Sequence, residues 1–537
     1  MSFQLDNQQS QVLNDSINSD SWDIMIIKGI AGSGKTTILG KIFDKYSESM
    51  NIYSLFPSAF TGRAAAVLRD KGLNNAKTIH HRIWGRRTMY KPFDSFNAPT
   101  IMKDDRSNNE LWIIDEGSMI EEYLLFWLLV EIHIPEKINK IFEKDEKGNF
   151  KRNKDGKGKK LNVKKGKLDM LINDPDIEFK INPNKKIIFC GDINQLRPFF
   201  TKGYEQHALS LDSLNKLGFK LIEYKLKTMY RHFESEDIHR AAKDIEEKPT
   251  ILEQSNYDSN NVFIVENNNF ENICHLYLEH KEELENTKYI TFNNQTAHEF
   301  NIAIRPFIHK DVNFSTNLIV GDLIHVTKNN YYHELWNGDF LKVLNILEEK
   351  QGSKLHVKAI EDINEKTIKV DSEVSINFMK VEVLHIETQK IHKLWIIADT
   401  LNNSENPETE RWIYSDRDEM YFVYEQYLNE FYKHRNRFSK DDSKETKKFD
   451  YENDEYNNAL FVNYSYAITG HKSQGGEWDN VFVDLTYVEK VKNENNNTIK
   501  YQVVNGYKQS EGWRYTAISR ASKKVFIIPP RETLILT

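Results

Sequence analysis

The sequence predicts an α/β protein built on parallel sheets, and three observations point there. Short apolar runs, among them "DIMIIKGIAG", "NIYSLFPS", "LWIIDEGS", "KKIIFCGD" and "KYITFNNQ", each end in Gly, Asp or polar residues and then open a helical pattern. Strands buried on both faces read as unbroken apolar runs, and their alternation with helices marks parallel sheets. Two more such runs, "NVFVDL" and "KKVFIIPP", resume the pattern near the end, beyond a long stretch of different character. Finally, "IMIIKGIAGSGKTTILGKIF", residues 24–43, passes from a strand through a glycine-rich loop into a helix, the unit that such sheets use to hold phosphates.

A chain of 537 residues is long for one domain; at roughly 150 residues each, three or four folded units are expected. An apolar content of 39% with 28% charged residues is enough for cores under a heavily solvated surface. The formal charge of −7 does not announce a polyanion partner, although a local basic groove depends on distribution rather than on the sum. The two cysteines, Cys190 and Cys274, are far apart and in no metal spacing, which fits a reducing compartment. The opening "MSFQLDNQQS" is polar, and no apolar run reaches the ~18 residues of a membrane helix, so a soluble, cytoplasmic protein is expected.

Gly29-Ile30-Ala31-Gly32-Ser33-Gly34-Lys35-Thr36 fits the phosphate-loop pattern G-x-x-x-x-G-K-[ST] without a gap. Its glycines let backbone N–H groups converge on phosphate oxygens, and the helix start adds a favourable dipole. Lys35 is expected to reach the β- and γ-phosphates and Thr36 to ligate Mg²⁺, with Gly29, Ala31, Gly32, Ser33, Gly34 and Thr37 completing the nucleotide cradle. A carboxylate at the end of a neighbouring strand should complete the metal side, and "LWIIDEGSM" supplies one. Asp115 is expected to hold the metal through water, and Glu116 to orient and deprotonate an attacking water. An acid pair favoured only by a helix start is the plainer alternative.

The segment "FCGDINQLRPF", residues 189–199, resembles motif III of superfamily 1 helicases, and more narrowly of the 1B group with its RecD-like and phage Dda-like members. Other blocks follow in that family's order. "LDNQQSQVL" resembles the Q motif, "FPSAFTGRAAAVL" motif Ia, "KTIHHRIW" motif Ib, "KTMYRHF" motif IV, "YAITGHKSQGGEWDNVFVD" motif V and "RYTAISRASKK" motif VI. The late blocks are the specific ones, because "HKSQG" followed by "AISRA" fits few families. The family usually has Pro at Arg197 and more often Ala at Gly117; the second departure is expected to matter little.

The resemblance implies roles. Gln9 would read adenine, Gln195 would sense the γ-phosphate, Arg231 would lie near it, and Arg520 would be the arginine finger. Gly475 would join the nucleotide set. Thr61, Gly62, Arg63, Thr78, His80, Thr469, His471 and Ser473 would touch DNA phosphates and sugars, a grip that does not read bases. Phe60, Trp84 and Phe199 sit beside motifs and are candidates for stacking on bases, against the plainer reading that large aromatics pack in cores. His80 and His471 could equally be core or capping residues, and Arg231 a surface arginine.

The implied architecture is two RecA-like parallel-sheet lobes with an inserted β-hairpin pin and an SH3-like β domain. Lobe 1A would span 1–228, with the pin at about 86–110, carrying Tyr90, Phe93 and Phe96, and a basic insertion at about 136–183. Lobe 2A would comprise 229–320 and 456–537. Residues 321–455 would form the β domain and a helical, charge-rich extension; here the residues speak for themselves, since "GDLIHVTKNNYYHELWNGDFLKVLNILEE" has short alternating runs and Asn-Gly and Gly-Asp turns. Residues 144–167 hold eleven Lys or Arg against three acids, a local +8, and read as a solvated loop or as a flap on a polyanion.

The function implied is an ATP- and Mg²⁺-dependent helicase acting on single-stranded DNA and single/double-strand junctions, moving 5′ to 3′ and working as a monomer, without a membrane partner. Replication, recombination, repair and defence all use such motors. Two rivals stay open: an ATP-driven translocase that remodels nucleoprotein without separating strands, and a nucleotide-gated interaction module.

Overall fold

The computed structural model describes residues 5–49, 53–84, 109–133, 168–173, 179–196, 207–228, 236–247, 257, 260–309, 318–330, 332–351, 355–363, 366–374, 377–401, 455–456, 458–486, 488–492, 499–503 and 512–530. Arg197, Phe199, Arg231, the aromatics Tyr90, Phe93 and Phe96, the basic run 144–167 and the helical extension lie outside them, as does the side chain of Trp84. The chain forms two compact units, one of residues 1–268, 290–292 and 469–537, the other of residues 269–289 and 293–468.

In the first unit, strands β1 (Ile24–Gly29), β2 (Tyr53–Ala59), β3 (Lys77–Thr78), β4 (Asn109–Asp115), β5 (Lys185–Gly191) and β6 (Leu221–Leu226) form one sheet in the order β3-β2-β4-β5-β1-β6. Every pairing is parallel, with Ile24 opposite Ile187 and Ala59 opposite Asp115. Alternate residues of each strand feed opposite cores. Ile24, Ile26, Trp112, Ile114, Ile187 and Phe189 join one cluster, and Met25, Ile27, Leu111, Ile113, Ile188 and Cys190 the other. Burial on both faces is why these strands read as continuous apolar runs.

Helices cover the two faces. α1 (Asn7–Ile17) starts with a capping box: Asp6 Oδ1 accepts from Gln9 N at 2.7 Å, and Gln9 Oε1 accepts from Asp6 N at 3.3 Å. α2 (Lys35–Ser49) leaves the glycine-rich loop, and α3 (Gly62–Asp70) and α4 (Ile79–Trp84) follow β2 and β3. α5 (Glu122–His133) is buried from Leu124 to His133, on every side of the helix, as an all-round apolar sequence requires. Burial pushes the His133 imidazole down to about 3. The late runs behave as the early ones do: Trp478–Asp484 pairs in parallel with Ala521–Ile528, which pairs in parallel with Val262–Ile264.

In the second unit, Ile391–Ile397, Asn377–His385, Phe340–Gln351, Leu323–Val326 and Val462–Tyr464 form an antiparallel sheet in that order. Two glycines make its turns. Gly321 (φ 95°) lets Asp322 N reach Ile319 O at 3.0 Å, and Gly338 (φ 99°) lets Asp339 N reach Trp336 O at 2.9 Å. A residue with a Cβ would be strained at either position. The predicted β character of the stretch after 321 is therefore found.

Candidate functional site

Gly29 ends β1, Asp115 ends β4 and Asp192 follows β5, and these three strands are neighbours in the order β4-β5-β1. The loops at their carboxyl ends thus converge where open parallel sheets place ligands.

The glycines of the phosphate loop are required by shape. Gly32 and Gly34 have φ of 79° and 75°, a region costly for L side chains. A Cβ on Gly29 would collide with Ser33 Oγ and lie 3.2 Å from Leu226 Cβ. Lys35 Nζ donates to Gly29 O and Ile30 O, both at 2.9 Å, so the ammonium lies against the loop's own carbonyls. Ser33 Oγ is buried and makes no hydrogen bond among the described residues. Gln9, buried in α1, donates its Nε2 to Ser33 O at 3.4 Å, which ties the N-terminal helix to this loop.

Across from it, Thr36 Oγ1 donates to Asp115 Oδ2 at 3.1 Å, and Asp115 Oδ1 accepts from Glu116 N at 2.9 Å. Burial raises the Asp115 carboxyl above its ordinary range, although Lys35 and Thr36 draw it back. Glu116 stands in left-handed backbone, φ 56° and ψ 39°, a conformation that costs a non-glycine residue about 1–2 kcal/mol. Its carboxyl is pushed up to about 7, first by burial and then by Asp115, while Arg520 and Lys35 pull the other way. A carboxyl poised near neutrality in a strained, partly buried position suits proton transfer. Gly117 gains a reason here: a Cβ would lie 3.2 Å from both Cys190 O and Leu209 Cδ2, so the loop approaches β5 too closely for comfort with Ala.

A hydroxyl beside a carboxylate is the hard oxygen donor set that suits Mg²⁺, which keeps most of its waters and takes only one or two protein oxygens. Thr36 and Asp115 fit that demand. Among the described residues no group of three or more His, Cys, Asp or Glu could hold a metal by itself.

On the third side, Gln195 is buried and its Nε2 donates to Asp192 Oδ2 at 3.4 Å, while its Oε1 has no hydrogen-bond partner among the described residues. The short helix Trp513–Ile518 closes on this segment: Leu196 N donates to Thr516 Oγ1 at 2.9 Å, and Tyr515 OH donates to Asp192 Oδ2 at 3.3 Å. Arg520, just beyond that helix, is buried and donates Nε to Thr516 O at 3.0 Å and Nη1 to Gly476 O at 3.3 Å. Its charge is felt at Glu116. Lys35, Thr36, Asp115, Glu116, Gln195 and Arg520 are thus gathered from distant parts of the chain; Arg231 lies outside the described residues.

The residues expected on DNA are placed otherwise than on a bare surface. Thr61 Oγ1 caps α3 by accepting from Ala64 N at 3.1 Å, Thr78 Oγ1 accepts from His81 N at 3.1 Å, and Ser473 Oγ donates to Gly470 O at 2.7 Å. Gly62 and Thr469 are buried. The Arg63 guanidinium is buried over the Trp478 ring, 5.1 Å from its centroid. Gly475 (φ 72°) faces the start of α3, where its Cβ would meet Ala64 at 3.8 Å. His80 is exposed, and its ring meets Phe60 edge-on at 5.9 Å, with Phe60 itself packed on the core. Burial lowers the His471 imidazole. The motif Ia and motif V segments therefore do meet, through Gly475 against Ala64 and Arg63 against Trp478.

Sequence reasoning missed four participants. Asp192, Tyr515, Thr516 and Trp478 lie inside the quoted motifs, yet only their contacts reveal them.

The family model of the AAA domain matches residues 10–142. An uncharacterized protein of Acanthamoeba polyphaga mimivirus is 23% identical over 568 residues, covering 95% of this chain and 96% of that one. An uncharacterized protein of Methanocaldococcus jannaschii is 33% identical over 102 residues, 18% of this chain and 9% of the other. Among solved structures, the chain is similar to the Pif1 helicase from Candida albicans at a TM-score of 0.47 and 15% identity, covering 98% of this chain and 94% of that one. It is similar to the Pif1 helicase from Bacteroides in complex with ADP-AlF3 and ssDNA at 0.43 and 14%, covering 98% and 92%.

Proposed function

We propose that this protein is an ATP-dependent DNA helicase of superfamily 1B that translocates 5′ to 3′ on single-stranded DNA and unwinds duplex. The observation that carries the reading is the meeting of Lys35, Thr36, Asp115 and Glu116 with the electrostatic reach of Arg520, which arrives from the far end of the sequence. A static phosphate store has no use for a second carboxyl beside the metal-side aspartate or for a second cation beyond Lys35, whereas a hydrolase can use the carboxyl on the attacking water and the cation on the departing phosphoryl group.

The chain's own groups divide the work. Backbone N–H groups of Gly32–Lys35 and the start of α2 hold the β-phosphate. Lys35 leaves the Gly29 and Ile30 carbonyls to meet the outer phosphates. Thr36 and Asp115 would hold Mg²⁺, which would supply positive charge against the phosphate oxygens. Glu116 takes the proton of the attacking water, and Gln195 and Arg520 meet the charge that spreads over the departing phosphoryl group. A finger arginine is worth about three to five orders of magnitude in rate, so its arrival gates hydrolysis.

On this reading residues 1–228 form lobe 1A, 229–320 with 456–537 lobe 2A, and 321–455 the SH3-like domain with its extension. The contacts of Gly475 and Trp478 with α3 support a track in which motifs Ia and V act together on the DNA backbone. The protein works on single strands and junctions as a monomer in a cytoplasmic setting; no helix among the described residues is long and apolar enough to cross a membrane.

The test is steady-state ATP turnover and strand separation with 5′-tailed, 3′-tailed and blunt duplexes, using Lys35→Ala and Glu116→Gln as controls. Stimulation by single-stranded DNA and separation of the 5′-tailed substrate alone are expected, with turnover lost in both variants. Unchanged turnover in either variant refutes the site. Absence of stimulation by DNA leaves the interaction-module reading, and stimulation without separation the remodelling one.

A further inference from the structure

The resemblance puts Gln9 on adenine, and the fold gives its amide other work. An amide reads adenine with both ends, its oxygen on the 6-amino group and its nitrogen on N7. In Gln9 both ends are turned onto backbone: Oε1 accepts from Asp6 N at 3.3 Å, and Nε2 donates to Ser33 O at 3.4 Å. The residue is 0% exposed, so it presents no surface to a base. The helix that carries it is held along its length. Trp22 Nε1 donates to Asp15 O at 3.1 Å, Tyr46 OH to Ser16 O at 2.7 Å, and Lys227 N to Gln8 Oε1 at 3.1 Å. A base could engage both ends of this amide only by breaking the capping box and the bond to the loop together.

The bond to Ser33 O also orients a neighbouring amide. Ser33 stands between Gly32 and Gly34, with φ of 79° and 75°. Glycine backbone rotates more freely than any other, so the Ser33–Gly34 peptide gains from a hold outside the loop. A peptide unit is planar and trans, and its C=O and N–H point to opposite sides. Drawing the Ser33 carbonyl toward α1 therefore aims the Gly34 N–H the other way. That N–H is one of the loop donors that a phosphate recruits. We infer that Gln9 is a positioning residue: its amide ties the Ser33 carbonyl to α1, sets the Gly34 N–H for the β-phosphate, and takes no part in choosing the base.

The inference rests on the proposed ATP-binding site, and the experiment separates the two. Binding of ADP and of 7-deaza-ADP, in which a C–H replaces N7, is titrated calorimetrically with Mg²⁺ against wild type, Lys35→Ala and Gln9→Met. Methionine keeps the length of the side chain and removes both ends of the amide. The variant should bind both nucleotides more weakly by the same factor, about two- to fivefold, the lower part of the range for one net hydrogen bond. Any loss caused by the 7-deaza change should be equal in wild type and variant, because groups that do not touch act additively. A variant that merely folded less completely would lower the binding stoichiometry and leave both constants as in wild type. Gln9→Ala repeats the comparison should the methionine variant fold poorly. A 7-deaza loss that disappears in the variant puts Gln9 on the base and overturns the inference, and so do constants unchanged from wild type; both results leave the site intact. A wild type that binds ADP no more tightly than Lys35→Ala overturns the site and the tether together.

Discussion

Glu116→Gln should stabilise the protein at alkaline pH while abolishing turnover. Burial, and then Asp115, push the Glu116 carboxyl from 4.5 to about 7. A carboxyl raised in the fold favours its protonated form there. Its contribution to stability is fully present below the unfolded value near 4.5 and is lost as pH rises through about 7. At about 1.36 kcal/mol per pKa unit, that displacement amounts to about 3 kcal/mol of penalty at pH 8 and about 1 kcal/mol at pH 5, where only the first half-unit of the window has been crossed. The working difference between the two pH values is therefore about 2 kcal/mol. Glutamine keeps the shape and never ionises. The assay is thermal unfolding of wild type and variant at pH 5 and pH 8 without nucleotide or magnesium, where about 1–2 °C accompany each kcal/mol in a folding unit of this size. The gain in melting temperature should be about 2–4 °C larger at pH 8. An equal difference at both pH values, or a variant less stable at pH 8, would refute the claim that Glu116 is held near neutrality.

Three further outcomes follow from the geometry. ATP turnover should climb as pH rises through about 7 and then level off, because Glu116 acts as a base only when ionised; a steady-state profile flat from about pH 6 to 8 would remove it from that role. Gly191→Ala should cost about 1–3 kcal/mol in denaturant melts, because its Cβ would sit 2.9 Å from Leu209 Cδ1 and 3.0 Å from the Ser118 N. In the second unit, Asp322→Ala should cost about 3–5 kcal/mol by stranding Arg305, the penalty of half a buried pair; Arg305 Nη2 meets Asp322 Oδ2 at 2.9 Å, both are buried, and His309 Nε2 and Tyr466 OH also reach Asp322. Burial pulls the Asp322 carboxyl upward, but His309 and Arg305 outweigh it and hold it below 3.8, so this stability should be present above 3.8 and fade in acid melts only as pH falls through that lowered value.

Much of the fold was legible because burial on two faces leaves an unmistakable trace. Every apolar run singled out in the sequence became a strand: β1, β2, β4, β5, Thr287–Thr291, Trp478–Asp484 and Ala521–Ile528. What escaped were strands without that trace. β6 reads "LIEYKL", with charged residues at alternate places, because it is the edge of its sheet and only half-buried. β3 is two residues long, and Val262–Ile264 three. Strands so short leave no period to read.

The site was legible in a different measure, for a reason that its hydroxyls make plain. Motifs name residue types at fixed spacing, and spacing fixes which backbone a side chain serves before it fixes any ligand. Thr61, Thr78 and Ser473 each spend a side-chain bond on a neighbour within three residues. Such a bond satisfies a helix start or a turn, and the other N–H groups of that helix start are left for a further acceptor. A threonine at the beginning of α3 can thus serve a phosphate without touching it, through the amides it holds in place. The residues that sequence overlooked are of the opposite kind. Asp192, Tyr515 and Trp478 make their decisive contacts with residues hundreds of positions away or on another element, with Arg63 to Trp478 the longest reach. No local pattern encodes such a contact. The motif tells where the backbone must be held, and only the fold tells which side chains then find each other.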